Sequence, residues 1–273
     1  MAAVATPAPY TRAALDTPNS YGQDFLNHGI LSGPGGIYDL ASLTGKTAQA
    51  AELAFGASSG PLRGICADTA NAMTVISLPG SLYQTGKALG SGRVVDALQG
   101  AARTSTMAAG SALAYVEDLP TKVSTACHTT LFVGGVVNHG IGAIKAVAGL
   151  AKGSAATPTG LTVSRTQATN QAAGVWKSDH EVVQLRKDSA NKEKTQLHVK
   201  NFFGLVKSVS KLAGAVFFGL ALFWSIVIPS VVCLAVSTVG VVTSILTSVY
   251  AGRAEVHTAN RKMIDRVMVA AKT

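Results

Sequence analysis

Charge is what this chain has least of. Only 14% of its 273 residues are Asp, Glu, Lys or Arg, against roughly 25% in an ordinary globular protein. Its three cysteines, Cys66, Cys127 and Cys233, form an odd, widely spaced set, which excludes a disulfide framework. No Asn-x-Ser/Thr sequon occurs, so nothing marks passage through a eukaryotic secretory pathway. Residues 1–20 are rich in Ala, Pro and Thr and lack a basic segment followed by an apolar core. No Sec signal peptide is expected there. A protein of this kind that reaches a membrane outside its producing cell must take another route.

Catalytic constellations are missing as well. The histidines, His28, His128, His139, His180, His198 and His257, are scattered, and none pairs with a second His or Cys at metal-ligand spacing. The Cys127-His128 neighbours make neither a closed zinc site nor an oriented nucleophile–base pair. Gly45-Lys46-Thr47 ends like a P-loop but lacks the glycine five residues ahead of Gly45. The expectation is no enzyme, no metal and no cofactor.

The charge that is present is uneven. Residues 1–175 hold 10 Lys+Arg against 8 Asp+Glu, whereas residues 176–273 hold 13 against 6. The net +9 is therefore concentrated beside the most hydrophobic part of the chain. No Lys/Arg cluster with interleaved aromatics accompanies it, so no nucleic-acid partner is expected.

Five regions follow from composition and periodicity. Residues 1–36 read as irregular, broken by Pro7, Pro9, Pro18 and the Gly33-Pro34-Gly35-Gly36 turn. Residues 37–151 read as an Ala/Gly-rich helical region, with helices over 37–57, 62–78 (stopped by Pro79-Gly80) and 91–116. Its small side chains suit close helix packing in or against a bilayer, or equally a small soluble bundle. Within it, residues 131–151 are apolar apart from Asn138, His139 and Lys145. Lys145 would cost roughly 2.5–3.5 kcal/mol near a bilayer centre, so a buried or interfacial helix is expected there. Residues 152–206 read as a linker and a charged helix, with apolar positions too irregular for a long coiled coil.

Between Lys211 and Arg253 lie 41 residues without a charge. As one helix they would span about 62 Å, twice the roughly 30 Å of a hydrocarbon core. Two crossings fit, broken at Pro229-Ser230, because proline removes a backbone donor and suits the first turn of the following helix. Residues 208–228 and 230–250 give two equal arms, and 207–250 is expected to be a transmembrane helical hairpin. The ten Leu, Ile, Val and Phe residues of 212–228 favour insertion by roughly 3–6 kcal/mol. In the second arm Gly240, Ser244 and Ser248 recur every four residues. This small-residue stripe is expected to face Ala215 and Gly219 of the first arm, or a second copy of the chain. The competing reading has the hydroxyls bonding back to their own helix.

Flanking charges set orientation. Lys207 and Lys211 precede the pair, Arg253, Arg261 and Lys262 follow it, and the turn carries none. Both tails are expected on the cytosolic side. Residues 251–273 read as a basic amphipathic tail lying on an anionic surface, or as an extension of the second arm. The fold class is thus all-α: an Ala/Gly-rich helical region, a two-helix hairpin in the membrane and a short basic tail.

The bilobed apolar stretch at 207–250, the short turn within it and the Sec-less N-terminus resemble the chlamydial inclusion membrane proteins. The resemblance covers about 45 residues and is one of hydropathy; residues 37–150 resemble a class I accessible member of that group in composition alone. It implies type III secretion, insertion in the vacuole membrane around the bacterium, both tails in host cytosol, and a virulence role through host protein partners. It transfers no functional residues. Three functions stay open: a membrane-anchored scaffold, a translocator-like or pore-forming component, and a soluble helical bundle. The partners expected are the lipid bilayer, a host protein and a second copy of the chain.

Overall fold

The computed structural model describes residues 10–11, 20–56, 58–151, 175–176 and 179–270. Most of the linker at 152–175 and residues 1–9 and 12–19 lie outside these. The described chain is helical apart from one short antiparallel pairing of Tyr10–Thr11 (β1) with Val175–Trp176 (β2). Its helices are α1 (Tyr21–Asp24), a π-helical turn (Phe25–Ile30), α2 (Pro34–Phe55), α3 (Gly60–Gly90), α4 (Val94–Tyr115), α5 (Thr121–Ala151), α6 (Asp179–Trp224) and α7 (Ser230–Ala270).

Two expectations about boundaries change. Residues 21–30 are helical: Ser20 caps α1 by accepting from the Gln23 amide at 3.3 Å, and the Gln23 side chain returns the bond in a capping box. The wide π-turn then brings Gly29 against Ile245 and Val249, and Gly252 against the His28 ring. Pro79 does not stop α3, which runs through it. Pro79 is exposed, and it removes one backbone donor without ending the helix. Pro34 takes the first turn of α2, and Gly33, at φ +143°, supplies a backbone that an L side chain rarely adopts.

Each of α2 to α7 packs antiparallel against its chain neighbour, and α7 comes back to pack on α2. Among the described residues α2, α4 and α6 do not touch one another, nor do α3, α5 and α7. The order therefore closes into a ring of six helices.

Small residues make the ring's seams. Gly135, Gly142 and Gly149 recur every seven residues on α5 and lie under Ala215, Ser208 and Asn201 of α6. A Cβ on Gly142 would come within 2.8 Å of the Ser208 hydroxyl. Gly134 meets Ala102 and Thr106 of α4, and Gly100 of α4 meets Thr85 of α3. Beside that last contact the Ser81 and Thr104 hydroxyls share a buried hydrogen bond of 2.7 Å.

The longest seam joins α6 and α7. Arg186 bonds Asp265 at 2.5 Å, Glu193 accepts from Arg261 at 2.8 Å, and Phe203 stacks on Tyr250 at 5.6 Å. Gly240 lies against Ser210 and Lys211. Partner numbers fall on α7 as they rise on α6, which defines one antiparallel pair. From Arg186 to Trp224 it runs about 57 Å. The charged helix and the first apolar arm are thus one helix, and the basic tail continues the second arm. Ion pairs and buried Leu197, Ala254 and Ile264 hold the charged stretch together where a heptad is missing.

Substituting Gly142→Leu should lift α5 off α6, because a side chain at the seam has only the space of a hydrogen atom. A loss of about 1–3 kcal/mol is expected for such overpacking. It is read as a lowered thermal midpoint in detergent, with helix content retained at low temperature.

Candidate functional site: an apolar helical ring with a basic interior

Among the described residues three helices are long and apolar enough to cross a membrane: Thr121–Ala151, Val183–Trp224 and Ser230–Arg266. The break between the last two is tight. α6 ends at Trp224, Ser225 takes φ +52°, and the Pro229 carbonyl accepts from the Val232 and Cys233 amides to start α7 at Ser230. The first arm thus stops four residues before the expected Ile228. The apolar side chains at this end are largely exposed, with Val227 at 91% and Trp224 at 63%. Phe223 packs edge-on against both Phe132 and Trp224 at this end. A cavity of about 660 Å³ opens here between α6, α7 and Gln49 of α2.

The small-residue stripe meets other partners than those expected. Ala215 packs on Gly135 and Gly219 on Phe132, so both face α5. Gly240 does face the first arm, but lower, at Ser210 and Lys211. Ser244 is buried, and Ser248 donates back to the Ser244 carbonyl at 3.3 Å. Thr238, Thr243 and Thr247 bond back to their own helix in the same way. Seam packing and local back-bonding are therefore both present.

The orientation charges divide into three kinds. Arg253 bonds the buried Asp24 at 2.5 Å and lies 3.8 Å over the Tyr21 ring, clasping α1 to α7. Arg261 is held by Glu193, whereas Lys262 is exposed. Lys207 and Lys211 point into the ring.

That last placement reverses the usual arrangement of a folded protein. On α4, Asp96, Gln99 and Arg103 share one face, and the opposite face carries exposed Val94 and Leu98. On α6, Lys200, Lys207 and Lys211 share a face, and Phe202, Val209 and Val216 are exposed on the other. Lys207 has Lys211, Asp39 of α2 and Arg103 of α4 as its electrostatic neighbours. His139 of α5 feels Lys211, Lys207 and Arg103. Because α2, α4 and α6 do not touch, these side chains influence one another across the centre of the ring. Lys46 of α2 joins them and donates to the Ser237 hydroxyl of α7 at 2.9 Å. On α4 and α6 these polar groups face inward, and Val94, Leu98, Phe202, Val209 and Val216 lie exposed on the outward faces.

Lys145, the residue that argued against α5 as a span, is neutralised across the α4–α5 seam. It bonds Asp96 and, at 2.6 Å, the Gln99 amide oxygen. Gln99 also donates to the Asn138 carbonyl at 3.2 Å. The Lys145 hydrogen bond, and then the charges of Lys145 and Arg93, hold the Asp96 carboxyl below the usual aspartate range, against a smaller opposing effect of burial. None of these contacts was legible beforehand, since the two helices lie about fifty residues apart in sequence and only the fold aligns them. Among the described residues no group of three His, Cys, Asp or Glu is placed to hold a metal ion.

Asp96 gives a pH-dependent term of known sign. Its carboxyl is depressed in the folded state, so the stabilisation is present above the ordinary aspartate value and is lost as pH falls through the lowered one. The thermal midpoint of Asp96→Asn should lie below that of the native chain at pH 7. The gap should close on acidification to below about pH 3.

Comparison of the chain with protein-family models, with curated proteins and with solved structures gives no match, so its fold and site stand on their own geometry.

Proposed function

We propose that the chain is an integral membrane protein whose apolar helices anchor it, while the charged end of the α6–α7 pair projects into water as an interaction platform. The observation that carries this reading is the change of character along one continuous helix pair. Its turn end is uncharged and apolar outward; its far end is laced by Glu193–Arg261 and Arg186–Asp265. At about 57 Å the pair is nearly twice a hydrocarbon core, so a stem of roughly the same length as the anchor is left outside. The Asp24–Arg253 clasp places the start of the helical region at the same end as this stem, which supports both tails lying on one side. With the resemblance to chlamydial inclusion membrane proteins, the reading extends to insertion in a host vacuole membrane after type III secretion, with the stem in host cytosol binding host proteins. Alkaline carbonate extraction should leave the protein in the membrane pellet; a monomer stable in the aqueous fraction without detergent would overturn the anchor. Protease added to intact vesicles should remove the stem and spare the turn.

A second reading, a pore or translocator component, is favoured by one feature, the closed ring with its charged side chains inside. Purified protein added to liposomes should then release a trapped anionic dye. Retention of dye by protein shown to be inserted would leave the anchor reading alone.

A further inference from the structure

The ring holds more positive charge than its own carboxylates balance. Lys211 is, among the described residues, an electrostatic neighbour of Lys46, Lys207 and Arg103, and Asp39 is the acidic group that Lys207 and Lys211 both feel. Among the described residues neither Lys207 nor Lys211 has a carboxylate oxygen within 4.0 Å. Both are partly buried, with part of each surface still accessible. Arg103, on the same face of α4 as Asp96 and Gln99, is exposed, and Asp39 is buried. Cations gathered in a region of lowered dielectric repel one another and lack the counter-charge that normally makes such burial tolerable. An anion from outside the chain would supply the missing counter-charge.

We infer that the ring interior is a binding site for a small oxyanion of the phosphate class, held by Lys46, Arg103, Lys207 and Lys211, with His139 lining it. Arginine and lysine donors converging from three helices suit a compact, multiply charged acceptor. The Lys46–Ser237 hydrogen bond fixes one donor in place. Asp39 opposes anion entry and limits affinity. The same chemistry is offered by free phosphate and by the phosphate headgroup of an anionic lipid entering from the surrounding bilayer. The site goes beyond the anchoring role and does not depend on it, because binding is read on the purified full-length chain.

The test is thermal unfolding in neutral detergent. Sodium phosphate is compared with sodium chloride at matched ionic strength, and in a parallel arm phosphatidic acid is compared with phosphatidylcholine in the micelles. A midpoint raised by phosphate identifies a free oxyanion as ligand; one raised only by phosphatidic acid identifies the headgroup; either supports the site. Lys207→Gln/Lys211→Gln should weaken binding about tenfold or more, on the scale of two lost charges in a partly solvated site. If that variant does not fold, Arg103→Gln serves in its place, and Asp39→Asn should tighten binding several-fold while keeping the fold. Equal midpoints in all four conditions would overturn the inference. So would a folded Lys207/Lys211 variant that keeps the full response, or an Asp39→Asn chain that binds no more tightly.

Discussion

Close approach of helix backbones at glycine is the constraint on which the rest of this molecule depends. Gly135, Gly142 and Gly149 let α5 lie on α6, Gly134 and Gly100 do the same for α4, and Gly240 for α7. Helices with few large side chains between them gain their contact from backbone and methyl packing rather than from a thick apolar core. That frees the large apolar residues to point outward. It also brings polar side chains into register across the seams, where Ser81 meets Thr104 and Lys145 meets Asp96.

The inward direction of the charges follows from that packing. The six helices surround a common centre. Long cationic side chains reach into it from α2, α4 and α6. Lysines that would flank a membrane span as orientation signals instead become part of the interior. Exposed Lys187, Lys192, Lys194, Lys262 and Arg266 on the stem remain to mark a side. Tyr21, Asp24 and Arg253 lock α1 to α7 beside the ring.

The α6–α7 pair joins the two halves of the proposed role. One helix passes from charged to uncharged surface without a break, so a force or a partner at the stem acts directly on the anchored part. The connection at 225–229 is short and starts with a serine at positive φ, which holds the two helices in a single antiparallel register.

Sequence alone determined the apolar tract, its break before Ser230 and the helical character of the chain, because each depends on neighbours along the chain: hydropathy, periodicity and a proline. It also marked Gly240 and Ser244 as packing positions. It misplaced what depends on partners distant in sequence. Pro79 reads as a stop until its exposed position on α3 is known, Lys145 reads as an obstacle until Asp96 lies beside it, and Lys207 reads as a flank until α2 and α4 close around it. Those outcomes were decided only by tertiary structure, since electrostatic and steric effects act through space and the pairing of six helices brings together residues up to two hundred positions apart, as Lys46 and Ser237 show.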